Sequence, residues 1–163
     1  MLKTVNIELC KLRMTITRAF FLLPAVFMIG CSAPEPYTDW KSIEITSGEQ
    51  IWRAFIADTV VKREQGLTGV LHLSSSHAVL FSLKQPHSSE VWMRGTLIPL
   101  DVIWLDADKN VVSVQTLQPC SDSQQCLRIG VKSPVAFIVE MNAGTYQGQQ
   151  GDKFTLANEI GRP

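Results

Sequence analysis

The chain predicts a mainly β protein, a small antiparallel sandwich or barrel of about eight strands with one short helix. Three observations carry that expectation. Apolar residues recur at every second position through most of the chain after residue 41. Clusters of Gly, Asp, Asn and Ser break those runs at short intervals, where a chain must reverse. Only one segment carries both a helix start and a helix stop.

The elements follow in order. Ser42-Ile43-Glu44-Ile45 alternates, Ser47-Gly48-Glu49-Gln50 turns, and Ile51–Ala57 is a second strand. Asp58 or Thr59 can cap a helix by accepting backbone N–H bonds, and Gly66 can take the left-handed conformation that ends it. The spacing therefore predicts a helix over Thr59–Gln65. Leu67, Val70, Leu71 and Leu73 are expected to fold under the core as irregular chain. Strands resume at Ala78–Leu83, Glu90–Met93 and Pro99–Asp106. Asp106–Asn110 is a turn cluster, Val111–Leu117 its hairpin partner, and Ser133–Met141 and Lys153–Leu156 are the last strands. Ala157–Pro163 is expected to fray.

The N-terminal segment has a different character. Lys3, Lys11, Arg13 and Arg18 precede an apolar run, Ala19–Ile29. The run is shorter than the roughly 20 residues that cross a bilayer, and it fits the apolar region of a signal peptide. Met28-Ile29-Gly30-Cys31 resembles the bacterial lipobox, in which a small residue precedes a cysteine that is acylated. The expected organisation is a lipoprotein signal peptide at 1–30, a tether from lipidated Cys31 over 31–40, and one β-rich domain at 41–157. Met14 can also serve as the start, because Met14–Gly30 is itself a complete short signal. Each buried methylene contributes roughly 0.8 kcal/mol, so several acyl chains hold a protein on a bilayer. Ser32, in place of an aspartate that retains lipoproteins in the inner membrane, points by analogy to the periplasmic face of the outer membrane.

Charge and cysteines are consistent with export. The chain has 15 basic and 15 acidic residues. Removing the leader leaves 11 against 14, so the remainder is near −3. Without a basic run it has no electrostatic footprint for nucleic acid. Cys10 leaves with the leader and Cys31 takes lipid, so Cys120 and Cys126 remain. In an oxidising compartment the two are expected to pair; closing so small a ring contributes roughly 2 kcal/mol. Redox or metal use is the alternative, but the C-x₅-C spacing and the lack of a helix N-terminus argue against an activated thiol.

Val91–Asp101 is the segment richest in chemistry. At period two Asp101 shares a face with Ile103 and Leu105, and a buried carboxylate must be paired or hydrogen-bonded. Arg94 and Thr96 are its nearest partners in sequence. The expectation is either a buried Arg94–Asp101 ion pair that fixes a loop, or a ligand site built from Trp92, Arg94, Thr96 and Asp101. Glu140 lies opposite in phase to Phe137 and Val139, facing solvent or a pocket. Other patterns point to no chemistry. Asp106-x-Asp108-x-Asn110 begins like a calcium loop, but Val111 and Leu117 stand where glycine and glutamate are required. His72, His77 and His87 are spaced by five and ten, which matches no zinc ligand pair, and they are expected on exposed loops. Ser74-Ser75-Ser76 has no nucleophile elbow around it. No cofactor, no metal and no catalytic constellation is expected.

Trp92-Met93-Arg94-Gly95-Thr96-Leu97-Ile98-Pro99-Leu100-Asp101 resembles the W-M-K-N-T-x-I-P-L-D signature of domain-of-unknown-function family 192. Ala57-Asp58-Thr59 leading to Gly66-Leu67, then Leu80-Phe81, then Val139–Gly144 fall in the family's order, and Pro119-Cys120 with Cys126 is similar to its cysteine-bearing loop. The resemblance spans about Ile43 to Leu156. Arg94-Gly95 replaces the usual Lys-Asn, Thr68-Gly69-Val70 replaces a G-L-M-F-R-like stretch after Leu67, and Ala78-Val79 replaces Gly-Met. The family implies a small, mainly β, sandwich-like fold and no established activity. The expected role is therefore an envelope lipoprotein that binds a small ligand or envelope partner near Arg94 and Asp101; the alternative is an enzyme using Asp101 as acid or base in a pocket with Arg94.

Overall fold

The computed structural model describes residues 37, 39–120 and 126–160. The chain divides into two units, Met1–Pro34 and Glu35–Pro163, and the described residues belong to the second. The expected signal, Cys31 and the last three residues lie outside the described residues.

Seven strands and one helix follow one another: β1 (Ser42–Ser47), β2 (Gln50–Ala57), α1 (Val60–Gln65), β3 (His77–Val91), β4 (Leu100–Leu105), β5 (Val111–Leu117), β6 (Ile129–Asn142) and β7 (Phe154–Ile160). They form one sheet in the order β5-β4-β6-β3-β2-β1-β7. The mainly β fold with one short helix is as the sequence predicts. β3 takes in both Ala78–Leu83 and the first half of Glu90–Met93, with register shifts between Ser82 and Ser89; counting its two halves separately gives the eight runs expected. β7 continues to Ile160 and pairs with Ser42, so Ala157–Ile160 is strand rather than frayed end.

One pair departs from the antiparallel expectation. β2 and β3 run parallel. Parallel neighbours need a crossover of a dozen or more residues, and α1 with residues 66–76 supplies it. Thr59 Oγ1 accepts from the Lys62 amide at 3.2 Å, and Gly66, at φ 43°, donates its N–H to Lys62 O at 2.9 Å, so both ends of α1 are capped as read.

The two outer strands meet at one end. Asn110 bridges Lys153, the Val111 N–H donates to Asp152 O at 2.7 Å, and the Phe154 N–H donates to Lys109 O at 2.9 Å. The sheet thus curls into a half-barrel. Its inside holds Ile45, Trp52, Leu80, Ile103, Met141 and Phe154. Its outside is equally apolar, with Phe55, Val79, Val102, Trp104 and Ile138 covered by Leu67, Val70, Leu73 and Met93. Tyr37 and Trp40, read as tether, belong to this outer core: their rings are 4.7 Å apart and Tyr37 lies 5.1 Å from Phe55. Leu71, grouped by sequence with the buried leucines, is exposed.

Asp101 is 3% exposed, on the inner face with Ile103 and Leu105. It accepts from Thr116 Oγ1 at 2.7 Å, directly across the β4–β5 ladder, and from the Tyr146 N–H at 3.2 Å. The expected Arg94–Asp101 ion pair does not form, because the strand phase sends Asp101 inside the curl while Arg94 lies in the segment that covers the outside. Cys120 and Cys126 form a disulfide with Cα atoms 5.7 Å apart.

This placement separates two variants. Asp101→Leu leaves the buried Tyr146 N–H without an acceptor and should cost roughly 1–3 kcal/mol, with Asp101→Asn milder. Arg94→Ala, at an exposed position, should stay within about 0.5 kcal/mol of the parent. Urea melts of the three variants give the ordering; an Arg94→Ala loss equal to that of Asp101→Leu would restore the ion pair.

Candidate functional site

Trp92, Arg94 and Thr96 line one cleft of about 180 Å³ on the outer face of the sheet. Asp101, the fourth residue expected there, lies on the inner face and is not part of it. The cleft is built where the 66–73 loop and the 92–99 loop meet. Thr68 pairs with Thr96, and the Gly69 N–H donates to Gly95 O at 2.8 Å. Gly95 has φ 73°, a left-handed conformation that glycine and, next best, asparagine adopt. A Gly95 in the place of the signature's Asn therefore keeps the turn.

Glu140 is the unexpected residue of the cleft. It sits on β6 opposite Val79 of β3 on one side and Val102 of β4 on the other, and shares its face with Ile138. The residue is half-buried, and its side chain lines the cleft. No hydrogen bond reaches its carboxyl among the described residues. Burial without a partner disfavours the charged form, and it pushes Glu140 up from 4.5 to about 7. The Tyr37 hydroxyl, which donates to Gly66 O at 2.9 Å, is raised by its burial first and by the Glu140 charge second. Beside Glu140, Asn142 Nδ2 donates to Leu73 O, which ties the covering loop to β6.

Three arginines surround the opening. Arg128 and Arg94 place their guanidinium carbons 4.3 and 5.4 Å from the Trp92 ring centre, within cation–π range. The disulfide frames both: Cys120 pairs its backbone with Arg94, and Cys126 is two residues before Arg128. Arg63, in the last turn of α1, lines the same cleft, and its Nη1 is buried with no hydrogen-bond partner among the described residues. Glu64 and Glu90 also line the cleft, but among the described residues no ion pair joins either of them to these arginines. The cleft can therefore donate hydrogen bonds from guanidinium groups and, when Glu140 is protonated, from a carboxylic acid.

The other candidates are dispersed. Asp106 closes the β4–β5 turn, accepting from the Asn110 backbone and side chain at 2.9 Å each. His72 and His87 are exposed, whereas His77 begins β3 and packs edge-on to Phe55 at 5.3 Å instead of standing on an exposed loop. Among the described residues no group of His, Cys, Asp or Glu comes together as a metal site. Sequence reading did not single out Arg63 or Arg128, which are brought in by the crossover helix and the disulfide loop; for Glu140 a signal was present, since Ala136 and Ile138 share its phase.

The Glu140 shift sets a pH dependence with a definite sign. Between 4.5 and about 7 the folded state binds more of this proton than the unfolded state, so this group lowers stability as pH rises through that window. At 1.36 kcal/mol per pH unit the effect is at most about 3 kcal/mol, and less because the residue is partly open to the cleft. Glu140→Gln should therefore be more stable than the parent at pH 8 by about 2 kcal/mol and show a much smaller gain at pH 5. Denaturant melts of both proteins at the two pH values test this; an equal difference at both would remove the shift.

The comparisons with known proteins agree with the fold. No curated protein matches the chain. A crystal structure of a candidate transcription regulator from Sinorhizobium meliloti 1021 is similar at 24% identity and TM-score 0.63, over 71% of this chain and 92% of that one. A protein of unknown function from Novosphingobium aromaticivorans DSM 12444 is similar at 24% identity and TM-score 0.66, over 76% and 91%. At that identity the likeness is one of fold. The DUF192 family model, described as "Uncharacterized ACR", matches residues 43–155, most of the described domain. The chain belongs to the DUF192 family.

Proposed function

We propose that this protein is a lipid-anchored member of the family in the bacterial cell envelope, and that its domain binds a small ligand in the cleft over Glu140. The observation that carries the binding reading is a pair of polar groups lining one open cleft without a partner among the described residues: the Glu140 carboxyl and the buried Arg63 Nη1. Natural proteins satisfy buried polar groups, and a group left unsatisfied in a concavity ringed by guanidinium donors and an indole is a group a ligand completes. A space of about 180 Å³ is below the roughly 300–1,000 Å³ of drug-sized pockets, so the ligand is a small molecule or the end of a longer one.

Anchoring and compartment rest on the sequence: the basic leader, the short apolar run and the Met28-Ile29-Gly30-Cys31 ending. The Cys120–Cys126 disulfide suits an oxidising compartment. An outer-membrane position rests on Ser32 alone.

A second reading is enzymatic, with a different residue from the one sequence suggested. Asp101 is enclosed away from the cleft, whereas a carboxyl held near 7 in a cleft, as Glu140 is, has the acidity of a general acid at neutral pH.

The test uses the full chain purified in nonionic detergent and a library of small fragments followed by two-dimensional NMR. Saturable shifts at the Trp92 indole N–H and the Glu140 amide, lost in Glu140→Trp, are the expected result; a library that leaves both unmoved would remove the binding reading. For the anchor, Cys31→Ser should abolish labelling by radioactive palmitate and release the protein from membranes, and unchanged labelling would contradict it.

A further inference from the structure

We infer that the ligand of the Glu140 cleft carries an oxyanion, a carboxylate or a phosphate group, gripped by Arg63, Arg94 and Arg128, with the Glu140 carboxylic acid donating a hydrogen bond to the same ligand. The inference rests on the cleft-binding reading and adds the chemical class of what is bound.

Four observations support it. The guanidinium group is a planar fork whose N–H groups match carboxylate and phosphate oxygens in pairs. Three such forks converge on one small cleft. None of the three has a carboxylate partner among the described residues, although Glu64 and Glu90 stand at the same cleft. Two of the forks are held: Arg94 and Arg128 lie against the Trp92 ring, which fixes their long side chains while leaving the N–H edges open. The third has a buried Nη1 with no hydrogen-bond partner among the described residues. A buried guanidinium N–H without an acceptor is costly, and an anion in the cleft supplies the acceptor.

Glu140 gives the site its selectivity and its pH dependence. As a neutral acid it has one O–H to donate; as a carboxylate it repels the ligand. The charged and titratable groups that face it are Tyr37, Arg63 and Glu64 from the chain before β3, Glu90 from β3, and Arg94 and Arg128 from the loops. Among the described residues no histidine lines this cleft, and Glu140, raised to about 7, changes its charge between pH 6 and 8. If only its protonated form binds, affinity should fall about tenfold over that range.

The experiment follows the Trp92 indole resonance of the full chain in nonionic detergent during titration with inorganic phosphate and with acetate, at fixed ionic strength with chloride as the control anion. Acetate keeps one charge from pH 6 to 8, so its pH profile reports the protein. Saturable shifts with either anion and not with chloride, weakened at least fivefold by Arg94→Gln or Arg128→Gln, are expected. These arginines are exposed, so both variants should remain folded. Acetate binding should weaken about tenfold from pH 6 to pH 8, and Glu140→Gln should flatten that profile. Shifts seen only when phosphatidylglycerol is added to the micelles, and lost in Arg94→Gln, would place the oxyanion on a lipid headgroup and would also support the inference. Anion shifts that chloride reproduces, or that survive both arginine substitutions, would overturn it. If neutral fragments shift Trp92 and Glu140 while no oxyanion does, the oxyanion is wrong and the cleft-binding reading stands; if neither does, both fall.

Discussion

All six residues of β4 are buried, so the sheet has to be covered on both faces. That requirement governs the rest of the domain. On one face the sheet covers itself, curling until β5 meets β7 at Asn110 and Lys153. On the other it needs separate material. The crossover between β2 and β3 provides α1 and the leucine-bearing loop, the 92–99 segment provides Met93, and Tyr37 and Trp40 arrive from the chain before β1. The cleft lies where this second cover leaves a gap above Ile138 and Glu140, near the end of β6.

Two carboxylates on central strands meet that constraint in opposite ways. Asp101 faces the inner core and is satisfied there: a hydroxyl across the ladder and a backbone N–H fill its acceptor positions. Glu140 faces the outer core, beside Val79, Val102 and Ile138, and no donor among the described residues reaches it. A charge left in such a place either finds a partner or takes up a proton. Glu140 is pushed toward the proton. The first carboxylate holds the fold together; the second is tolerated by it, and stability given up at one position is a common mark of a site kept for function.

Much of the fold was legible in the sequence because its strands are short, alternate cleanly and are divided by turn residues. The Thr59 and Gly66 caps located α1, and Asp106 located the β4–β5 turn. The parallel β2–β3 pair was not legible, because period-two alternation carries no direction and the crossover has few helical residues. Tyr37 and Trp40 were hidden by Pro34 and Pro36, whose tether-like composition outweighed two aromatic rings. At the site, the phase of Asp101 is legible in the sequence but its partners are not: Arg94 is the nearest cation in sequence, whereas Thr116 and Tyr146 come from β5 and from the chain after β6. Glu140 was readable: Ala136 and Ile138 on its own phase are apolar, so both faces of β6 are buried and a charge there is out of place. Arg63 and Arg128 are not, since only the folded chain brings the end of α1 and the chain after Cys126 to the same opening.

The central claim is that burial without a partner raises the Glu140 carboxyl so that it titrates near neutral pH. The direct measurement is a carbon-13 NMR titration of the side-chain carboxyl of Glu140, assigned by its disappearance in Glu140→Gln. The account predicts a midpoint near 7. A midpoint close to 4.5, the ordinary glutamate value, would show a solvated or paired carboxylate and contradict it.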